Sequence, residues 1–255
     1  MSSTVVTRWI SRPLSKQRFR LRLFCFPYAG GGAQIFRSWP DKLPEAVEVC
    51  AIQLPGRGAR MMDKPFTRMP ALVSALTDQL LPLFDKPFAF FGHSMGAWIS
   101  FEVARRLQSK HAVEPLHLFV SGAGAPHVPS RELPLHNLPE AELLKALRRL
   151  NGTPKELLES DDLMQLLLPT LRADFAVCET YTYRNGSVLN CPITAFGGLQ
   201  DRRLFRSDLK AWRSETNSSF SIKMFPGDHF FLHTAEPLLL DLLSAELERL
   251  ATARA

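Results

Sequence analysis

Ser94 stands in Gly92-His93-Ser94-Met95-Gly96, a spacing that can turn a weak nucleophile into a useful one. The apolar run Pro87 to Phe91 precedes it, and the helix-like stretch Ala97 to Leu107 follows. Strand, sharp turn and helix is the setting of a nucleophile elbow, which lifts a serine hydroxyl above a sheet edge beside a helix N-terminus. Such a turn is strained, and Gly92 and Gly96 leave room where a Cβ would clash. A Gly-x-Ser-x-Gly pattern alone recurs by chance and also serves as a plain tight turn with an idle serine. The flanking strand and helix are what favour the elbow.

A serine at neutral pH needs a base, and the base needs an orienting acid. In chains with this elbow the partners follow in the order serine, acid, histidine. His229 lies after the final predicted strand, in Phe225-Pro226-Gly227-Asp228-His229-Phe230-Phe231, on a turn that can return it to the sheet edge. His233 is the alternative, at the start of the closing helix, and either ring can instead be structural. His93 is better placed to pack locally than to act as base. The acid is expected at the end of a late strand, and Ile193 to Phe196 runs through Gly197-Gly198-Leu199-Gln200 to Asp201. Asp201 can alternatively cap the helix that follows it. Asp208 reads as helical, and Asp228 adjoins His229 with a diverging side chain.

Charge developing on a carbonyl oxygen calls for two backbone N–H donors. Met95, after the serine, supplies one. Ala29, in the loop Pro27-Tyr28-Ala29-Gly30-Gly31-Gly32 after the first predicted strand, is expected to supply the other. That loop lacks the Gly-Lys-Ser/Thr ending of a phosphate loop and does not fit Gly-x-Gly-x-x-Gly. There is no His-Glu-x-x-His and no Cys/His cluster, so neither a metal nor a cofactor is expected.

These residues need a frame, and the chain supplies alternating strands and helices. Strands are predicted at Leu21–Phe26, Val47–Ile52, Phe88–Phe91, Leu116–Ser121, Ile193–Phe196 and Phe220–Phe225. Helices are predicted at Gln34–Leu43, Pro70–Leu83 and Leu238–Leu250. The repeated units imply an α/β fold, a mostly parallel sheet with helices on both faces. From Leu138 to Tyr183 the alternation stops and the chain reads as helical throughout. Leu143, Leu144, Leu147 and Leu150 form one stripe, Thr153-Pro154-Lys155-Glu156 reads as a capping box, and Ser160-Asp161-Asp162 starts a further helix. Pro169 is expected to end that helix before another begins at Thr170. Leucine-rich helices inserted near a catalytic edge suggest a lid over an apolar site, the alternative being an ordinary helical cap on the core.

The 255 residues suffice for one large core, and we expect a single domain over 1–255. The apolar content is that of a soluble protein, with no membrane-length run and no secretory signal. The basic N-terminal stretch, with Arg8, Arg12, Lys16, Arg18, Arg20 and Arg22, reads as a solvated arm. Cys25, Cys50, Cys178 and Cys191 form no C-x-x-C pair, which favours reduced thiols in a cytoplasmic protein. The net charge of +6 is spread along the chain. No aromatic-interleaved basic patch marks nucleic-acid binding. A basic surface of this kind suits an acidic partner or simply solubility.

Taken together, these motifs resemble a family. Phe24-Cys25-Phe26-Pro27-Tyr28-Ala29-Gly30-Gly31, Gln53-Leu54-Pro55-Gly56-Arg57, Phe91 to Ala97, Leu168-Pro169-Thr170-Leu171-Arg172-Ala173-Asp174-Phe175 and Gly227 to Leu232 are similar, in order and separation, to those of stand-alone type II thioesterases. Those enzymes serve nonribosomal peptide and polyketide synthesis and belong to the α/β-hydrolase fold. The resemblance runs from about Leu21 to the C-terminus. It implies a triad of Ser94, Asp201 and His229, an oxyanion hole of Ala29 and Met95, and a helical lid over about 130–185. It further implies hydrolysis of acyl thioesters on the phosphopantetheine arm of acyl or peptidyl carrier protein domains. The family commonly places an acid soon after the Pro-Gly-Arg turn, where Ala59 stands here. A carboxylesterase, a fatty acid thioesterase and a non-catalytic binding protein are the competing readings, since fold and triad do not set the substrate. A cyclising terminal thioesterase is disfavoured by a chain that starts near the fold boundary with no fused carrier domain. A monomer is expected.

Overall fold

The structure, a computed structural model, describes residues 7–252 except 13–15, 17, 151, 153 and 154, with Lys155 described by its backbone alone. Its strands are β1 (Ile10–Ser11), β2 (Leu21–Phe26), β3 (Val47–Ile52), β4 (Phe88–His93), β5 (Leu118–Ser121), β6 (Ile193–Gly198) and β7 (Phe220–Phe225). They form one sheet in the order β1-β3-β2-β4-β5-β6-β7. Only β1 runs antiparallel to its neighbour. Phe24 pairs with Cys50 on one side and Phe90 on the other, and Phe91 pairs with Phe119. Every residue of β2 to β6 is buried, as expected of near-continuous apolar strands with both faces covered.

The helices are α1 (Trp39–Lys42), α2 (Met69–Leu80), α3 (Met95–His111), α4 (Glu140–Leu150), α5 (Lys155–Leu158), α6 (Asp161–Glu179), α7 (Arg206–Lys210), α8 (Phe231–Thr234) and α9 (Glu236–Thr252). One face of the sheet packs Phe24, Phe26 and Phe90 against Leu72, Leu76 and Leu80 of α2 and Phe101 and Leu107 of α3. The other packs Leu23, Cys25, Phe91 and Phe119 against Trp39 and against Leu239, Leu243 and Leu247 of α9. The period-four leucines of α2 and α9 thus face the sheet, as an amphipathic helix requires. All four cysteines are free. Among the described residues no helix is long and apolar enough to cross a membrane.

Between β5 and β6, α4 to α6 form a cluster of their own. Leu143 and Leu147 of α4 meet Met164, Leu168 and Leu171 of α6. Ser160 caps α6, accepting the Leu163 N–H at 3.4 Å. The expected capping box at 153–156 lies largely outside the described residues.

Three sequence expectations need correction. Pro169 does not divide the insertion; α6 continues through it to Glu179. Pro169 and Gln165, whose carbonyl loses its helical partner, both face solvent, where water replaces the bond, while Leu168 and Thr170 on the other side are buried. The predicted helix Gln34–Leu43 is instead a 3-10 turn, Ala33–Phe36, followed by α1, because Pro40 lacks the N–H needed to continue a helix yet fits a first turn. The N-terminal stretch is not wholly a solvated arm. Ile10 and Ser11 pair with Ile52 and Ala51, Trp9 joins the core, and the Arg60 guanidinium sits 4.1 Å above its ring.

Candidate active site

β4 delivers Ser94 to the C-terminal edge of the sheet, and α3 begins at the next residue. Ser94 holds φ +54° and ψ −117°, a left-handed conformation rare outside glycine. Such a backbone persists only where its surroundings over-determine it. Here the Ser94 N–H donates to the Ser121 carbonyl at 2.7 Å, and the two glycines set the approach. A Cβ on Gly92 would lie 2.2 Å from the Gly96 carbonyl oxygen, and one on Gly96 would lie 2.1 Å from that of Phe26. The elbow is therefore a packed crossing of β4, α3 and the end of β2, as its sequence predicts.

Asp201 and His229 come from adjacent turns at the same edge. The Leu199 N–H donates to Phe225 and the Gln200 N–H to Gly227, which locks the turn after β6 to the one after β7. His229 Nδ1 lies 2.8 Å from Asp201 Oδ2. An ionised carboxylate only accepts, so Nδ1 carries the proton and Nε2 presents its lone pair. The second Asp201 oxygen accepts the Arg203 N–H at 2.9 Å. Burial opposes ionisation of Asp201, but the bond and charge of His229 and the Arg203 N–H outweigh it, holding the carboxyl below the usual carboxylate range. Asp201 thus pairs with His229 and bonds within its own turn; it does not cap the following helix, which begins at Arg206 with Phe205 as its N-cap. No hydrogen bond joins Ser94 Oγ to His229 here; such bonds often tighten only around substrate.

Two further histidines near this edge have partners of their own. His93 is wholly buried, with Nδ1 2.8 Å from Ser121 Oγ and its ring centroid 5.3 Å from that of His229. Burial, then the nearby charges of His229 and His233, keep His93 neutral well below the usual histidine range. His233 lies in α8, its Nε2 3.1 Å from the Tyr28 hydroxyl, and does not reach Asp201. Asp208 pairs with Arg131 and Asp228 accepts the Phe230 N–H, so neither competes for His229.

The two expected N–H donors lie at the start of α3 and in the loop after β2. Met95 is the first residue of α3, where an N–H has no intrahelical acceptor. Among the described residues the Ala29 N–H donates to no protein acceptor. No group of three or more His, Cys, Asp or Glu side chains among the described residues is arranged to hold a metal ion. A cleft of about 750 Å³ is lined by residues including Arg8, Arg37, Gln53 and Arg60 and takes in none of the predicted site residues.

Two site-forming residues escaped assignment from the sequence. Arg57 and Asp174 meet in a buried two-pronged ion pair at 2.6 and 2.7 Å, and Asp174 also accepts the Gly30 N–H. Both stand inside motifs quoted above, Arg57 closing one and Asp174 two residues after Arg172 in the other.

The chain matches the family model described as "Thioesterase domain" over residues 21–247. It is 46% identical over 245 residues to the protein named linear gramicidin dehydrogenase LgrE of Brevibacillus parabrevis, covering 95% of this chain and 93% of that one. It is 46% identical over 242 residues to the gramicidin S biosynthesis protein GrsT of Aneurinibacillus migulanus, covering 95% and 94%. Among solved structures it superposes on BorB, the type II thioesterase of the borrelidin biosynthetic cluster. That match has a TM-score of 0.87 and 33% identity over 94% of this chain and 97% of that one. The word dehydrogenase in the first name finds no dinucleotide fingerprint here, as Gly30-Gly31-Gly32 does not fit one. With the strained serine turn, the strand order and this match along nearly its whole length, the chain belongs to the thioesterase family of the α/β-hydrolase fold, in its type II group, and is a serine-dependent thioester hydrolase.

Proposed function

We propose that this enzyme clears stalled or wrongly loaded acyl groups from the phosphopantetheine arms of acyl or peptidyl carrier protein domains in an assembly line of the nonribosomal peptide or polyketide kind. The His229–Asp201 pair beside Ser94 carries the reading. Ser94 Oγ attacks the thioester carbonyl while His229 Nε2 takes its proton. Asp201 stabilises the resulting imidazolium. The Met95 and Ala29 N–H groups receive the oxyanion, a contribution typically worth a hundredfold or more per donor. The tetrahedral adduct collapses to acyl-Ser94 and expels a thiolate. A thiol is far more acidic than an alcohol or amine, so this departure needs little help from a general acid. The imidazolium passes its proton to the departing thiolate, and the regenerated His229 base then activates the water that frees Ser94.

The chemistry asks for no metal or cofactor; the phosphopantetheine belongs to the substrate. Helices α4 to α6 act as the lid, with the 130–185 insertion forming the wall of an acyl chamber. The four free thiols suit a reducing cytoplasm, and a monomer suffices for the triad, which one chain completes.

The test compares kcat/KM for one short acyl group on a holo carrier protein, on coenzyme A and as an oxygen ester, with Ser94→Ala as blank. Preference for the carrier-bound thioester supports the reading. Equal or better turnover of the oxygen ester points to a general esterase, and equal turnover on coenzyme A removes the carrier from it.

A further inference from the structure

Three motifs, one of them more than a hundred residues from the other two, converge on one ion pair outside the triad. Arg57 lies in the turn after β3, Asp174 in the middle of α6, and Gly30 and Gly31 in the loop after β2. Asp174 Oδ2 accepts from Arg57 Nη1 at 2.6 Å and from the Gly30 N–H at 2.7 Å, and Oδ1 accepts from Arg57 Nη2 at 2.7 Å. Arg57 Nη1 also donates to the Gly31 carbonyl at 2.9 Å. Asp174 is 3% exposed and Arg57 5%. One turn earlier on α6, Thr170 Oγ1 donates to the Gly56 carbonyl at 2.6 Å, so the same helix face grips both loops.

The pair acts on one peptide plane. The Gly31 N–H donates to the Tyr28 carbonyl at 2.9 Å, closing a four-residue turn whose third residue, Gly30, holds φ +79°. That is type II geometry. Types I and II differ by a flip of the central peptide, here the one joining Ala29 to Gly30. With the carboxylate on the Gly30 N–H the plane is held in the type II orientation; in type I that N–H would point away from Asp174. The neighbouring peptide carries the Ala29 N–H, the donor left without a protein acceptor. Stability does not account for the arrangement, since a buried ion pair is commonly matched or bettered by apolar side chains of similar volume.

We infer that Arg57 and Asp174 are positioning residues for the oxyanion hole: they fix the Tyr28–Gly31 turn so that the Ala29 N–H faces the reacting carbonyl, and they tie that turn to α6. The inference rests on the Ser94 and Ala29 roles proposed above.

The test uses the double variant Arg57→Met, Asp174→Leu, which removes both charges together, with the isosteric Asp174→Asn as the second variant should the double variant fail to fold. Each is assayed on an acyl-pantetheine thioester, and each is titrated with an alkyl boronic acid, which forms a tetrahedral adduct on Ser94 and probes the oxyanion site. The expected result is a folded protein whose kcat falls tenfold or more with KM within twofold of the parent, and whose boronic acid affinity falls by a similar factor. A folded variant with parental kcat overturns the inference and leaves the pair a purely structural contact. So does a loss of kcat with unchanged boronic acid affinity. Ser94→Ala separates the two levels. If it retains parental turnover, the Ser94 reading falls and this inference with it. If it is inactive while the pair variants are unimpaired, only this inference falls.

Discussion

The sheet frame and the inserted helices are held in different ways. Ser94, Asp201 and His229 sit on strand ends knit by parallel ladders, with tight turns locked to one another by backbone bonds. Two apolar cores flank that sheet. The insertion has a small leucine core of its own. It joins the frame through Val177 of α6, which enters the sheet core, and through polar contacts on one face of α6, Thr170 to Gly56 and Asp174 to Arg57 and Gly30. Within the insertion, Glu179 accepts the N–H groups of Leu135 and His136, and Arg172 donates to the His136 carbonyl. The turn carrying the Ala29 N–H is therefore coupled to α6 through Gly30, while the Asp201–His229 pair is held by the sheet frame.

The largest expected effect lies in the frame. Asp201→Asn keeps the shape but favours the wrong His229 tautomer, and kcat is expected to fall by on the order of 10⁴-fold with folding intact. A loss under tenfold in a steady-state assay would take Asp201 out of the orienting role. Gly96→Ala drives a Cβ into the Phe26 carbonyl and is expected to cost about 3 kcal/mol or more, read as a lowered Tm or loss of soluble protein.

Paired truncations sharpen the comparison. Leu76 on α2 and Leu147 on α4 are both buried, the first in the sheet core and the second in the insertion. Leu76→Ala is expected to lower global stability by about 2–5 kcal/mol. Leu147→Ala is expected to lower it by clearly less while accelerating amide hydrogen exchange in α4 and α6. Equal global losses would show that frame and insertion unfold as one unit.

The smallest effect is a pH slope. His93 stays neutral in the folded chain well below 6.5, while the unfolded chain takes up a proton there as pH falls through that value. Stability therefore declines towards acid, by up to about 1.4 kcal/mol per pH unit for this one group. His93→Gln is expected to flatten the unfolding free energy between pH 6.5 and roughly pH 5 by that slope, with His117 and His233 still contributing. The contribution of Asp201 has the opposite origin. Its lowered folded value adds stability that is present above 3.8 and is lost as pH falls below it. An unchanged slope in the variant would contradict the buried neutral assignment.

The same division marks what was legible in the sequence. Continuous apolar runs located β2 to β6 because strands covered on both faces leave a simple pattern, and alternation located β7, whose residues are partly buried and exposed in turn. Two-residue β1 left none. Prolines misled in both directions: Pro40 broke a predicted helix, while Pro169 sits inside one whose solvent-facing carbonyl can go without its partner. The serine turn and the Asp201–His229 pairing were legible because the elbow is local and its partners are expected in a fixed order along the chain. Arg57 and Asp174 were not, since they are 117 positions apart and only the folded chain brings the charges together.

The most direct test of the central claim is rapid quenching of the enzyme with an acyl-pantetheine thioester, followed by mass mapping of the acyl group. An acyl adduct on Ser94 that forms and decays at rates compatible with turnover, and is missing in Ser94→Ala, is the expected result. Continued hydrolysis by Ser94→Ala, or turnover with no adduct on Ser94 at any time, would contradict it.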